Sequence, residues 1–287
     1  MGTAFVFAGG GSLGAVEVGM LRALIQADVR PDFVVGSSVG AINAVQFAAD
    51  PTAEGVARME RVWRSLRRRE ILPLSHVGAV LRLLTRHSHL VDQGALRRLL
   101  QQHLAVSRLN DTRLPCYVIT TDLLHGTEVA LDSGPAVESL LASTAIPGVF
   151  PPSRCGERYL VDGSVASNTP IATALERGAS RILVLPTGTA CALAAPPRGV
   201  LAVALHALTI LIARQLTVDV GRLGDRAEIF VVPPLCPLVV SPYDFSRGRE
   251  LIDRAAEATA RWLEDGGLRT PGAVGPLGAH QHEMARP

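Results

Sequence analysis

Short apolar runs alternate with longer segments in which apolar residues recur at helical spacing. The first run, Thr3–Ala8, predicts a buried strand, and the pattern after it predicts a helix over about 13–26. The run Phe33–Val35 predicts a second strand, followed by a helix over Val39–Ala49 that stops at Asp50-Pro51, where proline disfavours continuation. Strands and helices therefore alternate from the start of the chain, which favours a parallel sheet.

The alternation continues to the end of the periodic part of the chain. Residues 52–103 have helical spacing, with a break at Leu72-Pro73. Further strands are predicted at Cys116–Thr121, Glu128–Leu131, Tyr159–Val161, Ile182–Leu185 and Ile229–Val232, and further helices at 171–177, 200–222 and 245–264. The expected fold class is α/β, a three-layer sandwich whose mainly parallel central sheet is covered by helices on both faces.

Composition adds limits on organisation and location. One domain is expected over residues 1–265, and the Gly/Pro/His-rich segment 266–287 is expected to be a disordered tail. The formal net charge of +2 gives no electrostatic case for nucleic acid. The four cysteines form no C-x-x-C pair and Met1–Gly9 lacks the pattern of a secretory signal, so we expect a cytoplasmic protein.

Two segments raise the question of membrane contact. The apolar stretch Gly199–Ala213 is too short to span a bilayer comfortably and is expected to be a buried helix, with an interfacial helix as the alternative. The segment 56–70 combines an apolar stripe with several arginines. It predicts a core-packed helix with a solvated basic face, and peripheral contact with anionic lipid is its alternative.

A serine elbow is the most informative motif of the chain. Ser38 stands at the centre of G-x-S-x-G, between the second strand and the helix that follows it. Gly36 and Gly40 permit a sharp turn and close approach of a substrate, and the turn exposes the serine hydroxyl. The helix behind Ser38 directs the positive end of its dipole at an oxyanion formed there. The pattern alone is also compatible with a flexible Gly/Ser turn.

A glycine-rich turn directly follows the first strand and reads Gly9-Gly10-Gly11-Ser12-Leu13-Gly14. Its unobstructed backbone N–H groups can hold an oxyanion or a phosphate. The glycines also match G-x-G-x-x-G, the dinucleotide-binding pattern, which expects an acidic residue at the end of the second strand. The nearest acid, Asp32, precedes that strand, so the nucleotide interpretation lacks its discriminating residue. A purely structural tight turn remains the other alternative.

The partner of Ser38 is not an obvious histidine. Of the eight histidines, His125 is the one candidate in a loop, and none follows a late strand in the order of an α/β-hydrolase triad. Asp162 follows the strand Tyr159–Val161 and can face the same rim as Ser38. Desolvation would raise its pKa and make it a better proton acceptor. A plain Asp-Gly turn is the structural alternative.

Together these elements resemble the patatin-like phospholipase family. The resemblance covers roughly Ala4–Glu264, and the segment around Asp244-Phe245-Ser246 is similar to the end of bacterial members. Four ordered motifs carry it: the oxyanion turn, the serine elbow, an A-S-x-x-x-P-x-x-F-x-P block and a D-G-[AG] motif, at Gly9–Gly14, Gly36–Gly40, Ala142–Pro152 and Asp162–Ser164.

The resemblance implies a Ser–Asp dyad without histidine, with Ser38 as the nucleophile and Asp162 as the base. The turn Gly9–Gly14 would form the oxyanion hole, chiefly through the backbone N–H groups of Gly10 and Gly11. Gly163 and Ser164 would support the aspartate. Two residues depart from the family pattern: Leu13 stands where many relatives carry Lys or Arg, and Ser164 replaces the usual Gly or Ala.

The expected function is that of a serine acyl hydrolase that cleaves ester bonds of lipids or phospholipids and releases fatty acids. A small-ester or thioester hydrolase, and a non-catalytic regulatory protein that retains the fold, are the alternatives. No metal or cofactor is expected, because no His/Cys/Asp cluster has ligand spacing. The expected partner is a lipid or acyl-ester substrate.

Overall fold

The secondary structure follows the predicted alternation closely. The computed structural model describes residues 2–71, 89–189, 191, 195–197 and 199–275, so the break expected at Leu72-Pro73 lies outside the described residues. The strands are β1 (Gly2–Phe7), β2 (Phe33–Ser37), β3 (Cys116–Asp122), β4 (Glu128–Leu131), β5 (Ser153–Cys155), β6 (Arg158–Asp162), β7 (Ala179–Leu185) and β8 (Glu228–Val231).

The helices complete the alternation. They are α1 (Gly14–Gln26), α2 (Val39–Ala49), α3 (Ala53–Ser65), α4 (Arg68–Ile71), α5 (Gly94–His103), α6 (Ala136–Ser143), α7 (Ile171–Glu176), α8 (Val200–Leu223) and α9 (Gly248–Glu264). The last of them begins three residues later than predicted, because Phe245–Arg247 forms a 3₁₀ turn capped by the Asp244 side chain. The short strand β5 was not predicted, since its three residues carry no apolar alternation.

The sheet is mixed, with a parallel centre. Its order is β5-β6-β3-β2-β1-β7-β8, and β4 pairs with β3 off this path. The pairs β3–β2, β2–β1, β1–β7 and β7–β8 are parallel, whereas β4, β5 and β6 pair in antiparallel fashion. The carboxyl ends of the parallel strands therefore meet at one edge, where α/β sheets build their sites.

Side chains of alternate sheet residues enter two separate cores. Phe5 and Phe7 of β1 point to one face, where they pack with residues of α1, α2, α3, α5, α6 and α9. Ala4 and Val6 point to the other face, where residues of α7 and α8 cover them. Helices on both faces of a buried sheet confirm the predicted three-layer α/β sandwich.

The register of β3 brings two distant segments together. Ser37, the last residue of β2, pairs with Ile119, and Asp162, the last residue of β6, pairs with Thr120. The ends of β2 and β6 thus reach adjacent positions of β3. This arrangement places the chain after Ser37 next to Asp162, although the two lie far apart in sequence.

Helix α8 corrects one expectation. The prediction that Gly199–Ala213 is buried is wrong, because Val203 and Ile210 are about half exposed and Leu211 is 66% exposed. Leu216 and Val220, one turn apart, hold the helix on the sheet. The sequence pattern shows that the segment is apolar but does not show what covers it. The described neighbour of α8 on this face, α7, has six residues and is too short to cover it along its length.

Length and composition single out the same helix. In the described part of the chain, Ala202–Leu223 is the one helix long and apolar enough to cross a membrane by these two criteria. Within its most apolar window, 12% of the residues are buried. The helix therefore presents an apolar surface at the outside of the second layer.

The expectation of one continuous helix over 56–70 is wrong, because α3 ends at Ser65, Leu66 leaves the helical conformation and α4 begins at Arg68. The basic helix α3 is packed into the first layer. It buries Val56, Met59 and Trp63 against the core, which supports the core-packed alternative. Arg64 pairs with Asp253 of α9 at 2.6 Å, and Arg58 pairs with Asp50. Part of the positive charge of the 56–70 segment is therefore neutralised within the protein.

The described part of the expected tail continues along the domain. Gly267–Arg269 forms a 3₁₀ turn, and the Gly272 N–H donates a hydrogen bond to the Ile229 carbonyl at 2.7 Å. Val274 packs against the second core. Residues 276–287 of that tail lie outside the described residues.

Candidate active site

Ser38 occupies a strained elbow between β2 and α2. Its backbone has φ 53° and ψ −125°, a positive φ that residues other than glycine rarely adopt. Such strain costs on the order of 1–3 kcal/mol and persists where the surroundings impose it. Ser38 is 8% exposed and lines a cavity, whereas the neighbouring Ser37 is fully buried. The elbow therefore presents one of its two serines to a substrate.

The two glycines of the elbow allow this crossing. A Cβ on Gly40 would lie 2.5 Å from the Ala8 carbonyl oxygen and 2.6 Å from that of Phe7. A Cβ on Gly36 would lie 2.5 Å from the Gly40 carbonyl oxygen. The G-x-S-x-G spacing is thus explained by the close passage of α2 over the end of β1.

Asp162 lies within hydrogen-bond distance of the serine hydroxyl. The Ser38 Oγ donates a hydrogen bond to the Asp162 Oδ2 at 2.7 Å. The other carboxylate oxygen, Oδ1, accepts one from the Ser164 backbone N–H at 2.8 Å. Asp162 is 3% exposed, so both groups meet in a largely water-free setting.

The environment of Asp162 makes it a stronger base than an ordinary aspartate. Burial raises its pKa to about 6, because desolvation disfavours the charged form. Hydrogen bonds from Ser38 and Ser164 act in the opposite direction and keep the shift smaller. The hydroxyl of Ser164, a departure from the family pattern, thus contributes to the carboxylate environment. At neutral pH the carboxylate is ionised and can accept a proton.

The glycine-rich turn leaves two N–H groups open beside Ser38. Gly9 donates its backbone N–H to the Asn168 carbonyl, Ser12 donates to that of Pro242, and Leu13 donates to that of Gly10. The N–H groups of Gly10 and Gly11 have no acceptor among the described residues. Both glycines line the cavity that contains Ser38 and Asp162. Two backbone donors without a described acceptor in such a cavity can bind a developing oxyanion.

The shape of this turn depends on residues from distant parts of the chain. Gly11 has φ 58°, and a Cβ there would lie 2.4 Å from the Pro242 carbonyl oxygen. The Thr187 Oγ1 donates a hydrogen bond to the Gly9 carbonyl at 2.8 Å. Leu13 is fully buried, so the position where many relatives carry a cation belongs to the core here.

Three residues at the site were not singled out from the sequence. Ser143, which belongs to the Ala142–Pro152 block, accepts at its Oγ a hydrogen bond from the Ser38 N–H at 2.9 Å. Thr187 follows β7, the strand beside β1, so strand order was the missing signal. Tyr243 lines the cavity, and burial, together with the nearby charge of Asp162, raises its pKa to about 12. No local pattern marks Tyr243.

The structure separates the other sequence candidates from Ser38. His125 is 72% exposed and its Nδ1 lies 3.1 Å from Asp122. Asp32 accepts a hydrogen bond from the Thr3 N–H at the start of β1. It therefore lies at the edge of the sheet opposite the glycine-rich turn. From that edge it cannot contact a dinucleotide bound at the turn.

The fold and the site define a class: α/β proteins with a serine elbow at the carboxyl edge of the sheet, facing a buried aspartate. Comparison with known sequences identifies the family within this class. The family described as "Patatin-like phospholipase" matches residues 5–175, more than half of the chain. The protein belongs to this family.

Individual relatives are similar over the same part of the chain. A putative patatin-like phospholipase domain-containing protein of Caenorhabditis elegans is 29% identical over 187 residues, covering 64% of this chain and 16% of the relative. Patatin-like phospholipase domain-containing protein 6 of Homo sapiens is 26% identical over 189 residues, covering 65% and 13%. This chain thus spans a small part of the length of these relatives.

A bacterial relative and a solved structure complete the comparison. An uncharacterised NTE family protein of Mycobacterium bovis is 28% identical over 165 residues, covering 58% of this chain and 27% of the relative. The crystal structure of VipD from Legionella pneumophila is 14% identical with a TM-score of 0.46, covering 92% of this chain and 66% of that one.

Proposed function

We propose that this protein is a serine acyl hydrolase that cleaves carboxylic esters of lipids through a Ser38–Asp162 dyad. The observation that supports this most is the 2.7 Å hydrogen bond from the Ser38 hydroxyl to a buried carboxylate. Membership of the patatin-like phospholipase family supports a lipid ester as substrate. The dyad needs no metal or cofactor, because the carboxylate itself takes the proton.

The first half-reaction forms an acyl-enzyme. Ser38 Oγ attacks the ester carbonyl carbon while its proton passes to Asp162 Oδ2, which already accepts its hydrogen bond. The carbonyl oxygen becomes an oxyanion, and the open N–H groups of Gly10 and Gly11 stabilise it. When the tetrahedral intermediate collapses, the bond to the alcohol oxygen breaks and Asp162 returns the proton to the departing alcohol.

The second half-reaction releases the fatty acid. Water takes the place of the alcohol and attacks the acyl carbon while Asp162 accepts one of its protons. Collapse of this intermediate breaks the bond to Ser38 Oγ, which regains a proton from Asp162. The free carboxylic acid leaves, and both groups return to their starting states.

Turnover of p-nitrophenyl esters tests this proposal. We expect wild-type protein to hydrolyse them, and Ser38→Ala and Asp162→Asn each to lower kcat by about a thousandfold or more. Equal rates for wild type and both variants would overturn the hydrolase proposal and favour a regulatory protein that retains the fold. Hydrolysis of short esters or thioesters without any turnover of lipid esters would favour the small-ester alternative.

We also propose a cytoplasmic location with peripheral membrane contact. The membrane contact is supported by the exposed apolar side of α8. Leu208 and Ile212 of the same helix line the cavity of Ser38. Contact through α8 predicts binding to neutral and anionic vesicles alike, reduced by Ile210→Gln with Leu211→Gln. Contact through the basic segment 56–70 predicts binding to anionic vesicles alone. Failure to co-sediment with either vesicle would contradict membrane contact.

A further inference from the structure

Two cavities meet at Ser38. The first, here called the α8 cavity, is lined by Asp162 and by residues of α8. The second, the α2 cavity, extends between α2, α3 and α5. Both are lined by the same five residues at their junction: Gly11, Ser38, Ile146, Pro242 and Tyr243. An ester centred on Ser38 can therefore extend in two directions.

The α2 cavity lies along one side of helix α2 and is here called the slot. Val39, Ile42 and Gln46 line it, one helical turn after another. From Ser38 to Gln46 the helix rises about 12 Å, the length of an extended chain of roughly ten carbons. The slot therefore begins at the serine and leads away from it along α2.

The walls of the slot are mainly apolar. Leucines of α5, among them Leu96 and Leu100, face the side chains of α3. Gln46 and His103 are the last residues of α2 and α5 to line the slot, and the described lining also includes the hydroxyls of Thr144 and Tyr243. Apolar walls stabilise a hydrocarbon chain by removing it from water.

The position of the Trp63 indole in this wall is fixed by buried polar groups. Trp63 Nε1 donates a hydrogen bond to Asn43 Oδ1 at 2.9 Å, and Asn43 Nδ2 donates one to Glu17 Oε2 at 2.7 Å. All three residues are buried. Burial raises the pKa of Glu17 well above its usual value. A wall held in this way gives the slot a defined width.

The α8 cavity has a different chemistry. Besides the catalytic pair, its lining combines apolar side chains of α8, namely Leu208, Ile212 and Leu216, with the amide of Asn168 and the hydroxyls of Ser164, Thr187 and Thr189. Such groups suit the oxygen-rich alcohol portion of a lipid ester better than its hydrocarbon chain. Both cavities are mainly apolar, and the α8 cavity carries the larger share of polar groups.

We propose that the α2 cavity binds the acyl chain of the substrate and the α8 cavity its alcohol portion. This assignment rests on the proposed hydrolase function. It makes Ile42, one turn from Ser38, and Gln46, two turns from it, determinants of acyl-chain length. The substrate class is an ester that places one acyl chain of about ten carbons along α2.

Chain-length profiles of kcat/KM with p-nitrophenyl esters from acetate to dodecanoate test the proposal. In wild type, each methylene that enters the slot raises kcat/KM about threefold to fourfold, up to the length of the slot. Ile42→Trp fills the slot near Ser38, so the octanoate-to-acetate ratio falls at least tenfold. Gln46→Trp fills its far end, so the dodecanoate-to-octanoate ratio falls instead.

Two variants provide matched controls. Gln102→Trp adds the same side chain at an exposed position of α5, next to His103, and keeps the wild-type profile. Leu208→Trp fills the α8 cavity and changes the dependence on the alcohol while keeping the acyl ratios. If Ile42→Trp does not fold, as judged by circular dichroism, Leu99→Trp replaces it, because Leu99 lines the slot from α5.

The outcomes separate the two proposals. Absence of Ser38-dependent turnover on every ester overturns the proposed function. Ser38-dependent turnover with unchanged acyl ratios in Gln46→Trp and in the slot variant near Ser38 overturns the acyl assignment alone. A shift of the acyl ratio by Leu208→Trp, with none from the slot variants, would reverse the roles of the two cavities.

Discussion

The side chain of Ser143 holds the backbone of Ser38. Ser143 Oγ accepts a hydrogen bond from the Ser38 N–H at 2.9 Å and donates one to the Ile119 carbonyl at 2.5 Å. The last turn of α6 is thereby tied to both the elbow and β3. Since the Ser38 N–H is engaged, it is not available to an oxyanion, and that role is left to the turn at Gly10 and Gly11.

Ser143→Ala tests this role as a positioning residue. The change removes the acceptor of the buried Ser38 N–H and the hydroxyl that donates to the Ile119 carbonyl. The free energy of unfolding therefore falls by about 1–3 kcal/mol. Release of the strained elbow lowers kcat by about tenfold to a hundredfold with little change in KM. Ser139→Ala, one turn earlier on α6, removes a hydrogen bond to the Pro135 carbonyl. This control lowers stability but keeps kcat, and a loss of kcat equal to that of Ser143→Ala would contradict the assignment.

The pH dependence of activity follows from the raised pKa of Asp162. The base must be ionised to accept the serine proton, and its pKa lies at about 6 in the free protein. We therefore expect kcat/KM to be constant above pH 7 and to fall about tenfold per pH unit below that pKa. A profile that stays flat down to pH 4.5 would contradict Asp162 as the base.

The same shift predicts a change in stability for Asp162→Asn. The folded-state pKa of about 6 lies above the ordinary value of 3.8 for an aspartate, so the folded protein loses stability as pH rises between these values. Above pH 7 the ionised carboxylate lowers the free energy of unfolding by about 2–3 kcal/mol. Asp162→Asn removes this cost, so it raises Tm at pH 7.5 while it abolishes activity. Below pH 4 the difference in Tm between wild type and Asp162→Asn disappears. A lower Tm for the variant at pH 7.5 would contradict this prediction.

The elbow glycines predict a contrast between two alanine substitutions. In Gly40→Ala the new methyl would meet the carbonyl oxygens of Phe7 and Ala8, which are backbone atoms of β1 and its end. We expect the free energy of unfolding to fall by about 2 kcal/mol or more. In Gly221→Ala, on α8, the methyl has no neighbour within 4 Å, and the change stabilises the helix by up to about 1 kcal/mol. Urea denaturation of both variants checks this contrast, which equal effects would contradict.

Much of the fold and part of the site can be predicted from local patterns. Alternating apolar runs predicted the strands, because buried parallel strands carry continuous apolar sequence. The elbow at Ser38 and the turn at Gly9–Gly14 carry glycines at spacings that are typical of a few kinds of backbone turn. Both motifs can therefore be recognised in the sequence. Asp162 lies at the end of a strand as predicted, but β6 runs antiparallel to β3, so the pairing of Asp162 with Thr120, and not a shared carboxyl edge, brings it beside Ser38.

The remaining features depend on contacts that the sequence does not display. Thr187 and Tyr243 reach the site through strand order and through the loop after β8, and neither lies in a local motif. The exposure of α8 depends on how few elements cover that face of the sheet. Apolar spacing is the same for a helix that packs inside the protein and for one that lines the mouth of a cavity.

Labelling with an alkyl fluorophosphonate tests the central claim most directly, because the reagent reports on both the nucleophile and its base. We predict that peptide mapping by mass spectrometry finds the label on Ser38 in wild-type protein, and that Asp162→Asn slows labelling at pH 7.5 by about a hundredfold or more. Label on the buried Ser37, or equal labelling rates for wild type and Asp162→Asn, would contradict a Ser38–Asp162 dyad.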